Sequence, residues 1–212
     1  MNLTEMQADV LKEIMNIGVS KSATQLSVLL SDEIRIEVPD VNILSPSEVS
    51  SALFMNSALS AKGEESIVYQ ELMGMLDGRA YLIFRGEDSK FLSHAVLGNV
   101  FSHAGEKLQF YEQEAVMEIG NIIISSCIAS IANTLKDKIT LSTPVYTEDS
   151  LPQILSRMAN SDMSVLVVRT ALCASKRDIT GTLAIVITSD MVDSVINKLS
   201  RFYDFTGVAP HE

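Results

Sequence analysis

Asp9-Val10-Leu11-Lys12-Glu13-Ile14-Met15-Asn16 and Glu114-Ala115-Val116-Met117-Glu118-Ile119-Gly120-Asn121 are one phrase written twice, 105 residues apart. In each, an acid is followed by a Glu four residues on and an Asn three further. A proline closes the pattern in both copies, Pro39 in the first and Pro144 in the second. Apolar positions keep the same interval: Ile14 with Ile119, Ile17 with Ile122, Leu26 with Ile131, Leu30 with Leu135, Ile34 with Ile139, Ile36 with Leu141. With Glu, Asn and Pro each near 5% of average usage, such a Glu-Asn-Pro pattern arises by chance about 0.02 times in a chain of this length. Two occurrences at a fixed interval call for duplication, and a repeat constrains architecture more firmly than local propensity does.

Working outward, each copy opens with a helix. Met6, Val10, Leu11, Ile14, Ile17, Ala23, Leu26, Leu29 and Leu30 recur at three and four, the spacing of an apolar helix face. Thr4 with Gln7 reads as a capping box at its start. The alternating runs Ile34–Val38 and Lys138–Ser142 follow as strands, each ended by its proline, which cannot donate to a ladder. A polar stretch comes next. Then come two strands in each copy, Ile67–Leu72 with Arg79–Phe84 and Val165–Leu172 with Thr182–Ile187, with Gly78 and Gly181 marking the turns. Helices carrying Phe91, Leu92, Ala95 and Val96, and Met191, Val192, Val195 and Ile196, close the copies.

The expected fold is α+β: a unit of helix, strand, loop, two strands and helix, repeated about a pseudo-twofold axis, with a mostly antiparallel sheet covered by helices. No Gly/Ser-rich or Pro-rich linker lies around Phe101–Phe110, so residues 1–212 are expected to form one domain from two repeats of about 1–105 and 106–212. Gly207–Glu212 reads as a loose tail.

Composition narrows the function. A hydrophobic content of 47% over 212 residues supports a real core, and a net charge of -11 with no Trp leaves neither a basic groove nor a stacking platform for nucleic acid. Met1–Val10 has no signal-peptide character and no segment reads as a membrane span. Cys127 and Cys173 lie in apolar stretches without metal-ligand neighbours, consistent with a reducing cytoplasm. Cys127 is expected in the core. His94 and His103 have no Cys, Asp or Glu at ligand spacing and read as surface or interface histidines.

Positions 9, 13 and 16, like 114, 118 and 121, fall within roughly 60 degrees on a helix, so each helix presents an acid and an amide outward, expected at one common patch. A solvated helix face is the ordinary reading of one such stripe, and a duplicated structural motif would preserve two without activity. The full pattern resembles the signature of the CheC/CheX/FliY family of chemotaxis phosphatases: Asp or Ser, three residues, Glu, two residues, Asn, twenty-two residues, Pro. Asp9, Glu13, Asn16 and Pro39 agree throughout; the second copy agrees at Glu118, Asn121 and Pro144 and has Glu114 where Asp or Ser is usual. The two-copy layout is most similar to the CheC form.

The resemblance implies a phosphatase acting on the aspartyl phosphate of a CheY-like response regulator. It casts Glu13 and Glu118 as anchors to the receiver's lysine and Asn16 and Asn121 as the groups that orient the attacking water. Asp9 and Glu114 would flank the contact, and Pro39 and Pro144 would shape the site. Mg²⁺ would belong to the receiver, so no cofactor of the chain's own is implied. A CheD-like protein is a further partner the family admits. The competing reading is a non-catalytic module that docks receivers, flagellar-switch proteins or a CheD-like protein. A hydrolase using Asp9 with Glu13 ranks well below both.

Overall fold

The computed structural model describes residues 3–49, 65–98, 107–147, 149, 151–157, 162–175 and 177–201. Phe101, His103 and the tail at 207–212 lie outside them. The element order is α1 (Glu5–Leu30), β1 (Arg35–Leu44), β2 (Glu65–Gly74), β3 (Gly78–Arg85), α2 (Gly86–Leu97), α3 (Leu108–Leu135), β4 (Ile139–Leu141), β5 (Val145–Thr147), α4 (Leu151–Ser156), β6 (Met163–Ala174), β7 (Arg177–Thr188) and α5 (Ser189–Leu199).

Helix α1 begins as the sequence predicts: the Gln7 N–H donates to Thr4 Oγ1 at 3.3 Å and the Thr4 N–H to Gln7 Oε1 at 2.9 Å, a reciprocal cap. Both long helices end alike. Ser31 and Lys136, 105 apart, adopt the left-handed conformation at φ 51° and 50°. The N–H groups of the next residues, Asp32 and Asp137, reach back to the carbonyls of Ser27 and Ala132, which satisfies helix-end acceptors.

Among the described residues all strand pairings are antiparallel, in one seven-stranded sheet ordered β1-β6-β7-β3-β2-β4, with β5 also on β2. The registers reproduce the repeat. Ile36 faces Leu172 and Asp40 faces Arg169, while Leu141 faces Leu72 and Val145 faces Tyr69. The broken pair β4/β5 is thus the counterpart of β1. Ile83 faces Ile67 as Ala184 faces Val167, which makes Leu82 the counterpart of Leu183. These two leucines face each other across β3 and β7, so the pseudo-twofold axis passes between them at the centre of the sheet.

The proline reading needs correction. Strand β1 does not stop at Pro39 but runs on to Leu44, its ladder slipping register between Glu37 and Asp40. An edge strand can absorb a residue without an N–H by bulging. Pro144 does break the counterpart strand, separating β4 from β5. The glycine reading also fails in one copy. Gly78 opens β3, but Gly181 sits inside β7 opposite Thr170 and Phe84. A Cβ there would lie 2.8 Å from Thr170 Oγ1 and 3.0 Å from Phe84 Cε1, so the glycine makes room within the sheet.

The main core lies between the sheet and the long helices: Leu11, Ile14, Met15, Val19 and Leu26 of α1, and Ile119, Ile123, Cys127 and Ile131 of α3, meet Leu82, Phe84, Leu183 and Ile185. Each such burial contributes roughly 1.5–3 kcal/mol. Ile17, placed on the buried face by its spacing, is instead 45% exposed. The helices cross where Gly18 meets the backbone of Cys127, and Ser130 Oγ donates to the Ile14 carbonyl at 2.7 Å. By length and composition α3 could cross a bilayer, contrary to the sequence reading, but much of that stretch is buried inside the fold. A smaller cluster on the opposite face holds Val49, Ile67, Tyr81, Ile83, Ile154 and Val165. Between the repeats, the wholly buried Asp88 carboxylate meets Arg85 and Arg177, each at 2.8 Å; loss of either partner from such a group is strongly destabilising.

Candidate functional site

Asp9, Glu13, Glu114 and Glu118 are all solvent-exposed, and Asn16 and Asn121 are half-buried. This gradation follows from the helix geometry. The acids project from the middle of the outer stripe, and the amide three residues further rotates toward the sheet. Neither Glu13 nor Glu118 has an ion-pair partner among the described residues. Each is left free for a cation from outside.

The amides are anchored differently. Asn16 Oδ1 accepts the Val38 N–H at 2.9 Å. The bulge beside Pro39 explains why that N–H is available: the ladder slips there, so a donor on an edge strand is spent on a side chain rather than on a neighbouring strand. Asn121 Oδ1 instead accepts from Gln70 Nε2 at 3.3 Å, and the same nitrogen donates to the Ser142 carbonyl at 2.7 Å. In neither copy does a described residue accept from the asparagine Nδ2. Each amide is therefore fixed through its oxygen, with donors to offer.

The two sites do not share a patch. Asn16 lies against β1 at one edge of the sheet, and Asn121 lies against β2 and the β4–β5 junction at the other. The pseudo-twofold axis sends the first halves of α1 and α3 apart, so the expectation of a single common patch is replaced by two separate sites. Pro39 is exposed on β1 beside Val38, and Pro144 is half-buried after Ser142. Gln70 was not a candidate from the sequence. Its signal was a glutamine on the inward side of the apolar run Ile67–Leu72.

Other chemistry is sparse. No cluster of three or more metal-binding side chains occurs among the described residues. His94 Nε2 lies 2.8 Å from Glu112 Oε1, a contact joining α2 to α3. Burial pushes the Cys127 thiol up to about 12, which makes it a core group rather than a nucleophile.

Comparison with known proteins shows what this arrangement is similar to. The model of the CheC-like family matches residues 6–43 and 112–147, one segment in each repeat. It is 28% identical over 143 residues to the flagellar motor switch phosphatase FliY of Bacillus subtilis, a match covering 68% of this chain and 36% of that protein. It is 26% identical over 157 residues to the CheY-P phosphatase CheC of the same organism, covering 73% of this chain and 72% of that one. The match thus spans about a third of FliY and most of CheC. In fold, the crystal structure of Thermotoga maritima FliY superposes with a TM-score of 0.74 at 23% identity, covering 96% of this chain and all of that one. The FliM middle domain of H. pylori does so with a TM-score of 0.63 at 11% identity, covering 92% and 99%.

Proposed function

We propose that this chain hydrolyses the aspartyl phosphate of a phosphorylated CheY-like receiver domain at two sites, one on each repeat. The observation that carries the reading is the doubled arrangement: an exposed glutamate without an ion-pair partner among the described residues, one turn before an amide held through its oxygen. Similarity over most of its length to a protein named as a CheY-P phosphatase supports it.

The chemistry asks little covalent work of the protein. An acyl phosphate is already activated, and what a catalyst can add is a water held in line with phosphorus. With Oδ1 engaged, Asn16 or Asn121 can donate through Nδ2 to the water lone pair not used in attack, while the second lone pair of Oδ1 accepts a water proton. Glu13 or Glu118 supplies a carboxylate for a receiver lysine, a charge-assisted contact that sets register and orientation. The divalent cation is the receiver's own, part of the substrate.

The test is phosphate release from phosphorylated receivers of the same cell. The Asn16→Ala/Asn121→Ala double variant is expected to lose the acceleration, a fall of about 10²-fold or more, with an unchanged circular dichroism spectrum. Undiminished turnover would remove both asparagines from the mechanism. Receiver binding by the unaltered chain without faster dephosphorylation would leave a docking module in place of an enzyme.

A further inference from the structure

We infer that Gln70 is the positioning residue of the second site, doing with a side chain what the Val38 N–H does with backbone in the first. The kinetic consequence rests on the phosphatase reading; the contact itself does not.

Gln70 projects from β2 toward α3, on the same face as Val68 and Leu72, and is 2% exposed. Burying a primary amide is unfavourable unless its groups are engaged. Its Nε2 spends one hydrogen on the Ser142 carbonyl and the other on Asn121 Oδ1. Its Oε1 is buried with no partner among the described residues. An amide kept in the core at that cost is poorly explained by stability alone, and the group it reaches is the amide of the candidate site.

The far end of the relay is rigid. The Ser142 N–H donates to the Glu71 carbonyl at 3.0 Å, and Ser142 Oγ accepts the Glu71 N–H at 2.9 Å. The orientation of Asn121 is therefore tied to the backbone of β2 through Ser142 and Gln70.

The first site shows why the second needs this device. The strand registers make Thr170 the counterpart of Gln70, facing Gly181 as Gln70 faces Ala80. Thr170 is too short to reach across to a helix, and the first site has no need of it, because Val38 offers its N–H directly. In the second repeat the chain leaves the sheet between β4 and β5. The equivalent N–H, that of Thr143, makes no hydrogen bond to Asn121. Gln70 converts the Ser142 carbonyl, an acceptor, into a donor aimed at the amide.

An asparagine held at Oδ1 presents Nδ2 in one direction; released, it turns about its terminal torsion and the water loses alignment. Gln70 is buried, so its loss acts on the chemical step and not on receiver docking. The substitution is Gln70→Met, which keeps length and volume and removes both donors. Made in Asn16→Ala protein, where turnover comes from the second site, it is expected to lower kcat about tenfold, as small misplacements do, with KM within about twofold. Combined with Asn121→Ala it should cost nothing further, because no amide remains to be positioned.

A readout independent of activity is the side-chain amide resonance of Asn121. In Gln70→Met it is expected to shift while that of Asn16 stays in place. A folded Gln70→Met protein with kcat and the Asn121 resonance both unchanged overturns the inference. If the unaltered chain proves to have no phosphatase activity, the proposed function fails and the resonance alone decides the contact. Should Gln70→Met not fold, the unaltered protein still decides it: the Asn121 side-chain nitrogen should show a backbone-like heteronuclear NOE, and a freely rotating amide there refutes the contact.

Discussion

One asparagine leans on a strand that bulges, the other on a strand that breaks. The first repeat keeps β1 continuous through Pro39 and spends a backbone donor, Val38 N–H, on Asn16. The second interrupts the same strand at Pro144 and recruits Gln70 from the adjacent strand. Backbone support is short and depends on no neighbouring side chain; side-chain support is longer by a few tenths of an ångström and can be lost by a single substitution elsewhere. Duplication preserved the acid and amide but not the means of holding the amide.

The glycines of the long helices sharpen this comparison most. Gly18 of α1 faces the other helix, where a Cβ would meet Cys127 Cα at 2.8 Å and the Ser126 carbonyl oxygen at 2.9 Å. Gly120 of α3 faces the sheet, where it would meet Val68 Cγ1 at 2.7 Å. A backbone clash forces the helices apart, whereas a side chain yields in part. Gly18→Ala should therefore destabilise by about 3 kcal/mol and Gly120→Ala by about 1–2 kcal/mol, read as urea midpoints. Equal costs would mean that the helix crossing is as compliant as the sheet face.

Next in size is the stability cost of the asparagines themselves. Asn16→Ala strands the buried Val38 N–H and should cost about 1–3 kcal/mol. Asn121→Ala leaves Gln70 its bond to Ser142 and should cost under about 1 kcal/mol. Denaturant unfolding of the two single variants checks the order, and a reversed order would break the contrast between backbone and side-chain support.

The smallest effect lies at the helix ends. Asp32 and Asp137 are counterparts: Asp32 accepts from Ser175 Oγ, whereas Asp137 accepts from the Lys198 ammonium. The Lys198 hydrogen bond, helped by the Lys138 N–H, holds Asp137 below the usual carboxylate range. A lowered folded-state value means that the contribution is complete above the unfolded value and is lost as pH falls through the folded one. Lys198→Met should move the Asp137 carboxyl titration up toward its ordinary position, followed by carbon-13 NMR. An unmoved titration would remove the lysine as its cause.

Much of this was legible before any coordinates. The interval of 105 located both long helices, the strands after them and all eight candidate positions, because helix faces and duplicated motifs are local patterns. Other features were not legible from local pattern. Gly181 reads as a turn by residue type, and only the register with Thr170 and Phe84 shows it making space inside a strand. Ile17 satisfies the helical spacing yet lies at the margin of the buried arc, where periodicity does not separate inside from outside. The separation of the two sites depends on where the pseudo-twofold axis falls, which is a property of the assembled sheet. Gln70 was missed for the same reason: its importance lies in a neighbour 51 residues away.

The strand order carries a consequence for how the chain acquires its structure. Strand β1 precedes the other described strands in the chain, yet has β6 as its neighbour, and Arg35 finds its partner only at Cys173. Contacts this distant in sequence slow folding, since the intervening loop must be closed before the pairing is rewarded. The Val38 N–H that fixes Asn16 sits on that waiting edge, so the motif helix first to be synthesised has its support secured among the last.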